Sequence, residues 1–391
     1  MVLDLRKEFF RDTWVEINLD YLYENVTRMK QHLAADTSII AVVKANAYGH
    51  GDLQVAQTAL EAGATMLAVA FLDEAVALRK QGLKAPVLVL GATRPEDARI
   101  AAELDICLTA TSKEWLCEVE HHVTSNSPLS IHVKCDTGMG RIGIRSIEEL
   151  LEVVEILRDS ECFVFNGVFT HYATADELDT QYFKYQLEKF EEMLNSLPVR
   201  PPFIHSSNSA ASLMHPSSHF NSVRIGIAMY GLTPSLEIKD HLPIPLKQSF
   251  SLHCRLVQVK EVEAGEKISY GATYEASDRE WIGTLPIGYA DGWLRRLQGQ
   301  EVLIEGRRMP IVGRICMDQC MIRLPHKVEV GTRVTLIGQQ LDQSILIDEI
   351  AKHLETINYE IPCIISNRVP RVYVRNGKYQ SVENNIMSLW K

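Results

Sequence analysis

Ile39-Ile40-Ala41-Val42-Val43-Lys44-Ala45-Asn46-Ala47-Tyr48-Gly49-His50-Gly51 joins an apolar run to a single lysine and a turn rich in small residues. Consecutive apolar residues from Ile39 to Val43 are the pattern of a strand buried on both faces, as in a parallel sheet. Gly49 and Gly51 predict a tight turn that exposes its backbone. Asp52 is placed to cap a helix through Leu53, Val55, Ala56, Ala59 and Leu60, which Gly63 ends. A lysine at the mouth of a buried strand can lose part of its solvent, which lowers its pKa and frees the amine as a nucleophile. Taken alone, such a lysine is an ordinary solvated side chain at a strand end. The rest of the chain has to give it meaning.

Outward from this stretch, strands and helices alternate. Strands are predicted at 39–43, 66–70, 86–90, 105–109, 130–135, 163–169, 203–206 and 222–225, with helices such as 73–81, 112–120, 147–158 and 178–196 between them. Eight strands, each followed by a helix or turn, are what closes a (β/α) barrel. The alternating run 14–19, followed by Asp20 as a cap for a helix carrying Leu22, Val26, Met29 and Leu33, is left over. It is expected to pair outside the barrel with the C-terminal part. His241-Leu-Pro-Ile-Pro-Leu246 breaks the rhythm with two prolines. Short strands and turns follow: 251–259, the turn 264–266, 281–286, 302–304, 311–315 and 333–337. One helix near 348–354 precedes the Asn376-Gly377 hairpin signal. The expected fold is an N-terminal (β/α)8 TIM-type barrel at 21–243 and a mainly β C-terminal domain at 244–391, with the strand in 1–20 joining the latter.

With 391 residues, 46% of them hydrophobic, the chain can fill two large cores. A formal charge of −10 and no Lys/Arg block argue against nucleic acid as a partner. No run is long or apolar enough for a signal peptide or membrane span, and 8 scattered cysteines read as reduced thiols, so a cytoplasmic location is expected. Cys316 and Cys320 lack a second Cys or His pair nearby, so no metal site is expected.

Barrel enzymes carry their sites at the C-terminal ends of the strands, with phosphate groups usually held by the last two. Here strand seven runs into His205-Ser206-Ser207-Asn208-Ser209, where Asn208 and Ser209 can open a helix, and strand eight into Arg224-Ile225-Gly226-Ile227. Hydroxyl and N–H donors there suit a phosphate, although Ser209 also reads as an ordinary N-cap. The loop Cys135-Asp136-Thr137-Gly138-Met139-Gly140-Arg141 offers Arg141 to a carboxylate or to a surface ion pair. His171, ending strand six, reads by itself as a hydrogen-bonded core histidine more readily than as a catalyst. Lys44 opposite a phosphate cradle is the layout of a Schiff-base lysine with pyridoxal phosphate.

Taken together, Ala41-Val42-Val43-Lys44-Ala45-Asn46-Ala47-Tyr48-Gly49-His50-Gly51 resembles the cofactor-lysine motif of bacterial alanine racemases. Gly138-Met139-Gly140-Arg141, Arg224-Ile225-Gly226-Ile227-Ala228-Met229-Tyr230-Gly231, Ser269-Tyr270-Gly271-Ala272, Gly288-Tyr289-Ala290-Asp291-Gly292 and Gly313-Arg314-Ile315-Cys316-Met317-Asp318 match in the family's order. The resemblance covers nearly the whole chain. It implies interconversion of L-alanine and D-alanine with pyridoxal 5'-phosphate, supplying D-alanine for peptidoglycan. Lys44 would hold the cofactor and serve as base on one face of the substrate, with Tyr270 from the other subunit of a homodimer as base on the opposite face. Arg224 matches the partner of the pyridine nitrogen and His171 a residue bonded to that arginine and to Tyr270. Tyr48, Ser209, Gly226, Ile227 and Tyr359, with Asn208 beside them, correspond to the phosphate contacts. Arg141 and the Met317 backbone, with Cys316 and Asp318 in the same loop, correspond to the substrate-carboxylate contacts, and Tyr289 to the substrate entrance. Lys134 matches a lysine that is carbamylated in some members.

The chemistry implied is self-consistent. Two bases across a planar intermediate suit a reaction that removes a proton from one face and returns it on the other. An arginine can only donate to the ring nitrogen and discourages its protonation. Decarboxylases of basic amino acids on the same plan use an acidic residue there, so Arg224 argues against that alternative. A barrel-only carrier of the cofactor has no need of the β domain. A racemase of serine or another small amino acid is the nearest alternative, since one methylene is worth only about 1–3 kcal/mol.

Overall fold

The computed structural model describes residues 8–388, which divide into two compact units. Tyr21–Ala47 with Asp52–Lys247 forms one, and the chain up to Asp20, Tyr48–Gly51 and the chain from Gln248 form the other.

The first unit is a closed parallel barrel of β2 (Ser38–Val42), β3 (Met66–Val69), β4 (Val87–Val89), β5 (Ile106–Ala110), β6 (Leu129–Lys134), β7 (Phe163–Phe169), β8 (Phe203–His205) and β9 (Ser222–Ile225), numbered after the strand β1 (Thr13–Asn18) that precedes them. It is the (β/α)8 architecture expected. Closure comes from β2 against β9, with Ile39 opposite Val223 and Ala41 opposite Ile225. Every residue of β3, β4, β5 and β9 is buried. Burial on both faces is why these strands read as short apolar runs without alternation. The helix Ile147–Asp159 shows the complementary pattern, burying Leu150, Val153, Val154 and Leu157 along one stripe. Each such side chain stabilises the fold by about 1.5–3 kcal/mol. Ser146 Oγ caps this helix by accepting from Glu149 N–H, and Ser112 does the same for the helix Lys113–Glu120, each worth about 1 kcal/mol.

The expected caps at Asp20 and Asp52 are corrected by the structure. Asp52 is the first helical residue of Asp52–Glu61 rather than the one before it; its carboxylate still accepts a helix-start N–H, that of Leu53 at 2.6 Å, and its own N–H is taken by Asn46 Oδ1 at 3.0 Å. Asp20 lies inside the helix Leu19–His32, and its carboxylate accepts Asn376 N–H at 2.6 Å. The helix expected from 178 starts at Gln181, because the Leu178 and Gln181 N–H groups are held by Glu237 and Asp179 side chains.

The second unit is built on an 11-stranded sheet. β1 lies inside it, parallel to Arg371–Arg375 and antiparallel to Phe250–Arg255. Asn376 and Gly377, both with positive φ, turn Arg371–Arg375 into Lys378–Glu383. The single strand expected over 251–259 is two strands, Phe250–Arg255 and Gln258–Val262. The chain changes neighbours between them: Leu256 N–H bonds to Thr332 and Val257 N–H to Thr284. Likewise the strand expected over 311–315 is Arg307–Val312, ended by Gly313 at φ 66°. Among the described residues no helix is long and apolar enough to cross a membrane.

Candidate active site

Arg224 in β9 is buried, and its guanidinium is held by neutral acceptors. NH1 donates to His205 Nδ1 and to the His205 carbonyl, both at 2.8 Å. NH2 donates to the carbonyls of Thr170 at 2.8 Å and Ser206 at 3.0 Å, and to His171 Nδ1 at 3.1 Å. Nε–H has no acceptor among the described residues. Burial lowers the arginine to about 10, and no carboxylate among the described residues offsets that. Phe169 lies beneath, its ring centre 5.4 Å from the Arg224 Cζ and stacked at 4.7 Å on His205.

Because an arginine only donates, these contacts fix the histidine tautomers. His171 accepts at Nδ1 and so carries its proton on Nε2. His205 does likewise, and its Nε2–H donates to His132 Nδ1 at 2.8 Å. His132 then carries its proton on Nε2, a buried atom with no partner among the described residues. A Cβ on Gly167 would lie 2.4 Å from the His132 ring, so that glycine makes room for it. Burial first, and the charge of Arg224 second, hold all three imidazoles neutral, His132 at about 3 and the others well below their usual value.

Further cations line the carboxyl ends of the strands. Lys44 follows β2, Lys134 ends β6, and Arg141 lies exposed in the next loop; together with Arg224 their charges bear on His171. Lys134 is buried, donates to the Cys135 carbonyl at 2.6 Å and is pushed down to about 8 by burial. Asp136 shapes the Arg141 loop by accepting the N–H groups of Gly138 and Gly140. Beyond β8, Asn208 caps the short helix Ser209–Met214. Ser209 is therefore not the cap. Its Oγ accepts Gly226 N–H at 2.9 Å and Ala228 N–H at 3.4 Å. Between them the N–H of buried Ile227 has no acceptor among the described residues.

The segment after Lys44 departs from ordinary backbone geometry. Ala45, Asn46, Ala47 and Tyr48 all have φ between 51° and 54°, one turn of left-handed helix. For non-glycine residues this conformation costs about 1–2 kcal/mol each. Such strain persists only where its surroundings over-determine it, and it gathers at functional sites.

In the second unit, Tyr48 lies tilted against Tyr359, ring centres 6.3 Å apart, and burial pushes its phenol up. Gly49 and Gly51 leave no room for side chains: a Cβ would lie 2.1 Å from the Pro362 carbonyl oxygen and 1.7 Å from the Tyr373 hydroxyl. Tyr289, Cys316, Met317 and Asp318 form one cluster of loops. Tyr289 N–H donates to the Cys316 carbonyl and Ala290 N–H to that of Met317, both at 3.0 Å, while Asp318 pairs with Arg368 at 2.8 Å. Tyr270 is 72% exposed, and its neighbour Ser269 is tied to the Arg314 carbonyl at 2.6 Å. The sequence did not single out His132, His205 or the left-handed turn. A histidine at a strand end was the available signal for His205.

A parallel barrel with clustered cations and open N–H donors at the carboxyl ends of its strands, joined in one chain to a large β unit, defines a barrel enzyme of a two-unit class. The families described as "Alanine racemase, N-terminal domain" and "Alanine racemase, C-terminal domain" match residues 17–234 and 249–373. An alanine racemase of Geobacillus stearothermophilus is 59% identical over 97% of this chain and 98% of its own. The crystal structure of alanine racemase from Bacillus anthracis with bound L-Ala-P is 52% identical, with a TM-score of 0.94 over 97% of this chain and 99% of that one. A histidine racemase from Leuconostoc mesenteroides subsp. sake is 33% identical with a TM-score of 0.90, over 94% and 99%. The chain belongs to the alanine racemase family and is an amino-acid racemase, an isomerase.

The neutral histidines set a pH dependence. In the unfolded chain they bind protons near pH 6.5; in the fold they do so only well below it. The unfolded state therefore binds more protons as pH falls from 6.5 towards 5, and each histidine removes up to about 1.4 kcal/mol of stability per pH unit. Urea midpoints measured across this window should fall with pH. In His132→Asn they should fall less steeply, by the share of one group; an unchanged slope would mean that His132 is protonated in the fold.

Proposed function

We propose that the chain interconverts L-alanine and D-alanine with pyridoxal 5'-phosphate held at the barrel mouth, as a homodimer in which each site draws on both subunits. The observation that carries this reading is the Nε–H of Arg224, which meets no acceptor and no carboxylate among the described residues, together with the N–H of Ile227, three residues further on, which is left open in the same way. The first suits the pyridine nitrogen of the cofactor. The second, with Ser209, Gly226 and the tyrosines 48 and 359, suits its phosphate, and Asn208 keeps Ser209 in place by capping the helix. Bound there, pyridoxal phosphate supplies an electron sink for the charge left on Cα when a proton departs.

The protein's own part is to anchor and to move protons. Lys44 holds the cofactor covalently and, once released, carries the proton on one face. Tyr270 of the partner subunit serves the other face; at 72% exposed, this side chain is open to reach another subunit. His171 Nε2–H is left to donate towards that phenol, since Nδ1 is occupied by Arg224. Arg141 and the Met317 N–H take the substrate carboxylate, Cys316 and Asp318 hold the Met317 loop, and Tyr289 narrows the entrance. Lys134, pushed down to about 8, has enough neutral amine to carry a carbamate that steadies Arg141.

Arg224 speaks against a decarboxylase, whose chemistry calls for a protonated ring nitrogen. Preference for alanine over serine rests on the crowding tyrosines 289 and 359 and amounts to about 1–3 kcal/mol per methylene. The histidine racemase on the same fold is a reminder that the pocket lining, not the barrel, selects the substrate. The product supplies D-alanine for peptidoglycan. The cytoplasm, which keeps thiols reduced, suits the eight free cysteines.

Borohydride reduction of the purified protein should fix the cofactor on Lys44, as read by peptide mass; a label on any other lysine refutes the assignment. Tyr270→Phe should abolish solvent-deuterium exchange from one alanine enantiomer, by about a hundredfold or more, while sparing the other. Equal losses would exclude the two-base scheme. A carbamate on Lys134 should give a carbonyl carbon-13 signal from labelled bicarbonate that is absent from Lys134→Arg, and no difference between the two would remove it.

A further inference from the structure

Glu74 stands in the first turn of the helix Leu72–Lys80, which follows β3, the strand next to β2 in the barrel. Its Oε2 accepts the N–H groups of Ala70 at 2.7 Å and Phe71 at 3.2 Å. Its Oε1 accepts the N–H of Ala45 at 2.6 Å. One carboxylate thus ties the residue directly after Lys44 to the loop at the end of the adjacent strand. That loop is itself fixed. Gly91 N–H donates to the Ala70 carbonyl at 3.1 Å, and a Cβ on Gly91 would lie 2.5 Å from that oxygen, so the approach needs a glycine there.

Ala45 is also where the left-handed turn begins. Two further bonds at the turn are short-range: Ala47 N–H to the Val43 carbonyl at 2.9 Å, and Asp52 N–H to Asn46 Oδ1 at 3.0 Å. Both stay within residues 43–52 and travel with the segment. Glu74 alone among these three reaches in from a separate element. The Ala45 N–H lies in the peptide plane that joins Lys44 to Ala45, so the charge-assisted bond fixes that plane and, with it, the backbone of Lys44 from which the left-handed turn departs.

We propose that Glu74 is a positioning residue for Lys44: by accepting the Ala45 N–H it fixes the Lys44–Ala45 peptide at the start of the left-handed turn and so aims the lysine at the cofactor. The inference rests on Lys44 being the cofactor lysine. All three donors to Glu74 are N–H groups, and two oxygens serve them. A glutamine offers one oxygen and one NH2; with its oxygen kept on the two N–H groups of Ala70 and Phe71, its NH2 faces the Ala45 N–H and that side of the clamp opens.

The test uses the full-length chain, stripped of pyridoxal phosphate and reloaded with it. In the unmodified stripped protein the Ala45 amide should exchange with deuterium at least a hundredfold more slowly than an open loop. In Glu74→Gln that protection should vanish, the affinity for pyridoxal phosphate should fall about ten- to hundredfold, and the pH midpoint of the bound-cofactor absorbance should move. Adding Ala45→Gly should recover part of the affinity, about threefold or more, because glycine adopts the left-handed region freely. Wild-type affinity and midpoint in Glu74→Gln, or a double variant no better than the single one, overturns the proposal. Should Glu74→Gln fail to fold, exchange at Ala45 in the unmodified protein decides, and an unprotected amide overturns the proposal as well. A borohydride label away from Lys44 would refute the cofactor assignment and leave the exchange result standing, so the two failures are separable.

Discussion

A guanidinium that cannot release its proton is buried against carbonyls and imidazoles, and much of the barrel mouth follows from that constraint. Each ring nitrogen facing Arg224 must accept, so the proton of His205 and that of His171 are driven to the far side of their rings. The effect propagates outward through His205 to His132 and ends on a buried N–H with no partner among the described residues. A carboxylate in place of any of these acceptors would pair the charge and lift the arginine back towards its ordinary range. Neutral partners leave the full positive charge in place at Nε. An unprotonated ring nitrogen is the natural neighbour of such a group.

Around that fixed charge, the backbone does much of the remaining work. Ser209 Oγ draws in the N–H groups of Gly226 and Ala228 and leaves that of Ile227 standing open between them. The turn after Lys44 runs in the wrong hand for L-residues and is tied at its start by Glu74 and further along by Asn46 and the Val43 carbonyl. In both places a polar side chain imposes on the main chain a shape that local preference would not choose. Departures from local preference are expected where function is carried.

These two kinds of feature differ in how far the sequence revealed them. The barrel was legible because strands buried on both faces leave an unbroken apolar signature, as at Ile39–Val43, and because glycines such as Gly63 and Gly82 close the helices. Lys44, Arg224 and the glycine-rich loops were legible as a pattern only when read together with the family they resemble. His132 was hidden, since a histidine inside a strand carries no mark of the ring it will face across the barrel; its contact with His205 spans 73 residues of chain. Glu74 was hidden for a different reason: an acidic residue in a first helical turn is fully explained by the helix dipole and capping. The reading of 251–259 as one strand failed on tertiary grounds, because periodicity records burial and not the point at which a chain exchanges one neighbour for another.

The charge at the barrel mouth also explains why so acidic a chain can receive anionic ligands. The protein carries a net −10, yet Lys44, Lys134, Arg141 and Arg224 all bear on one neutral imidazole. Long-range repulsion from distant carboxylates is screened within about 8–10 Å at ordinary ionic strength, whereas partly buried charges a few ångströms away are screened far less. The local field therefore overrides the net charge. Mutual repulsion and desolvation make the empty cluster unfavourable, as the lowered Lys134 and Arg224 record. An anion entering this mouth offsets both burdens, so the same cations that strain the fold favour anionic ligands, among them the phosphate and carboxylate of the proposed reaction.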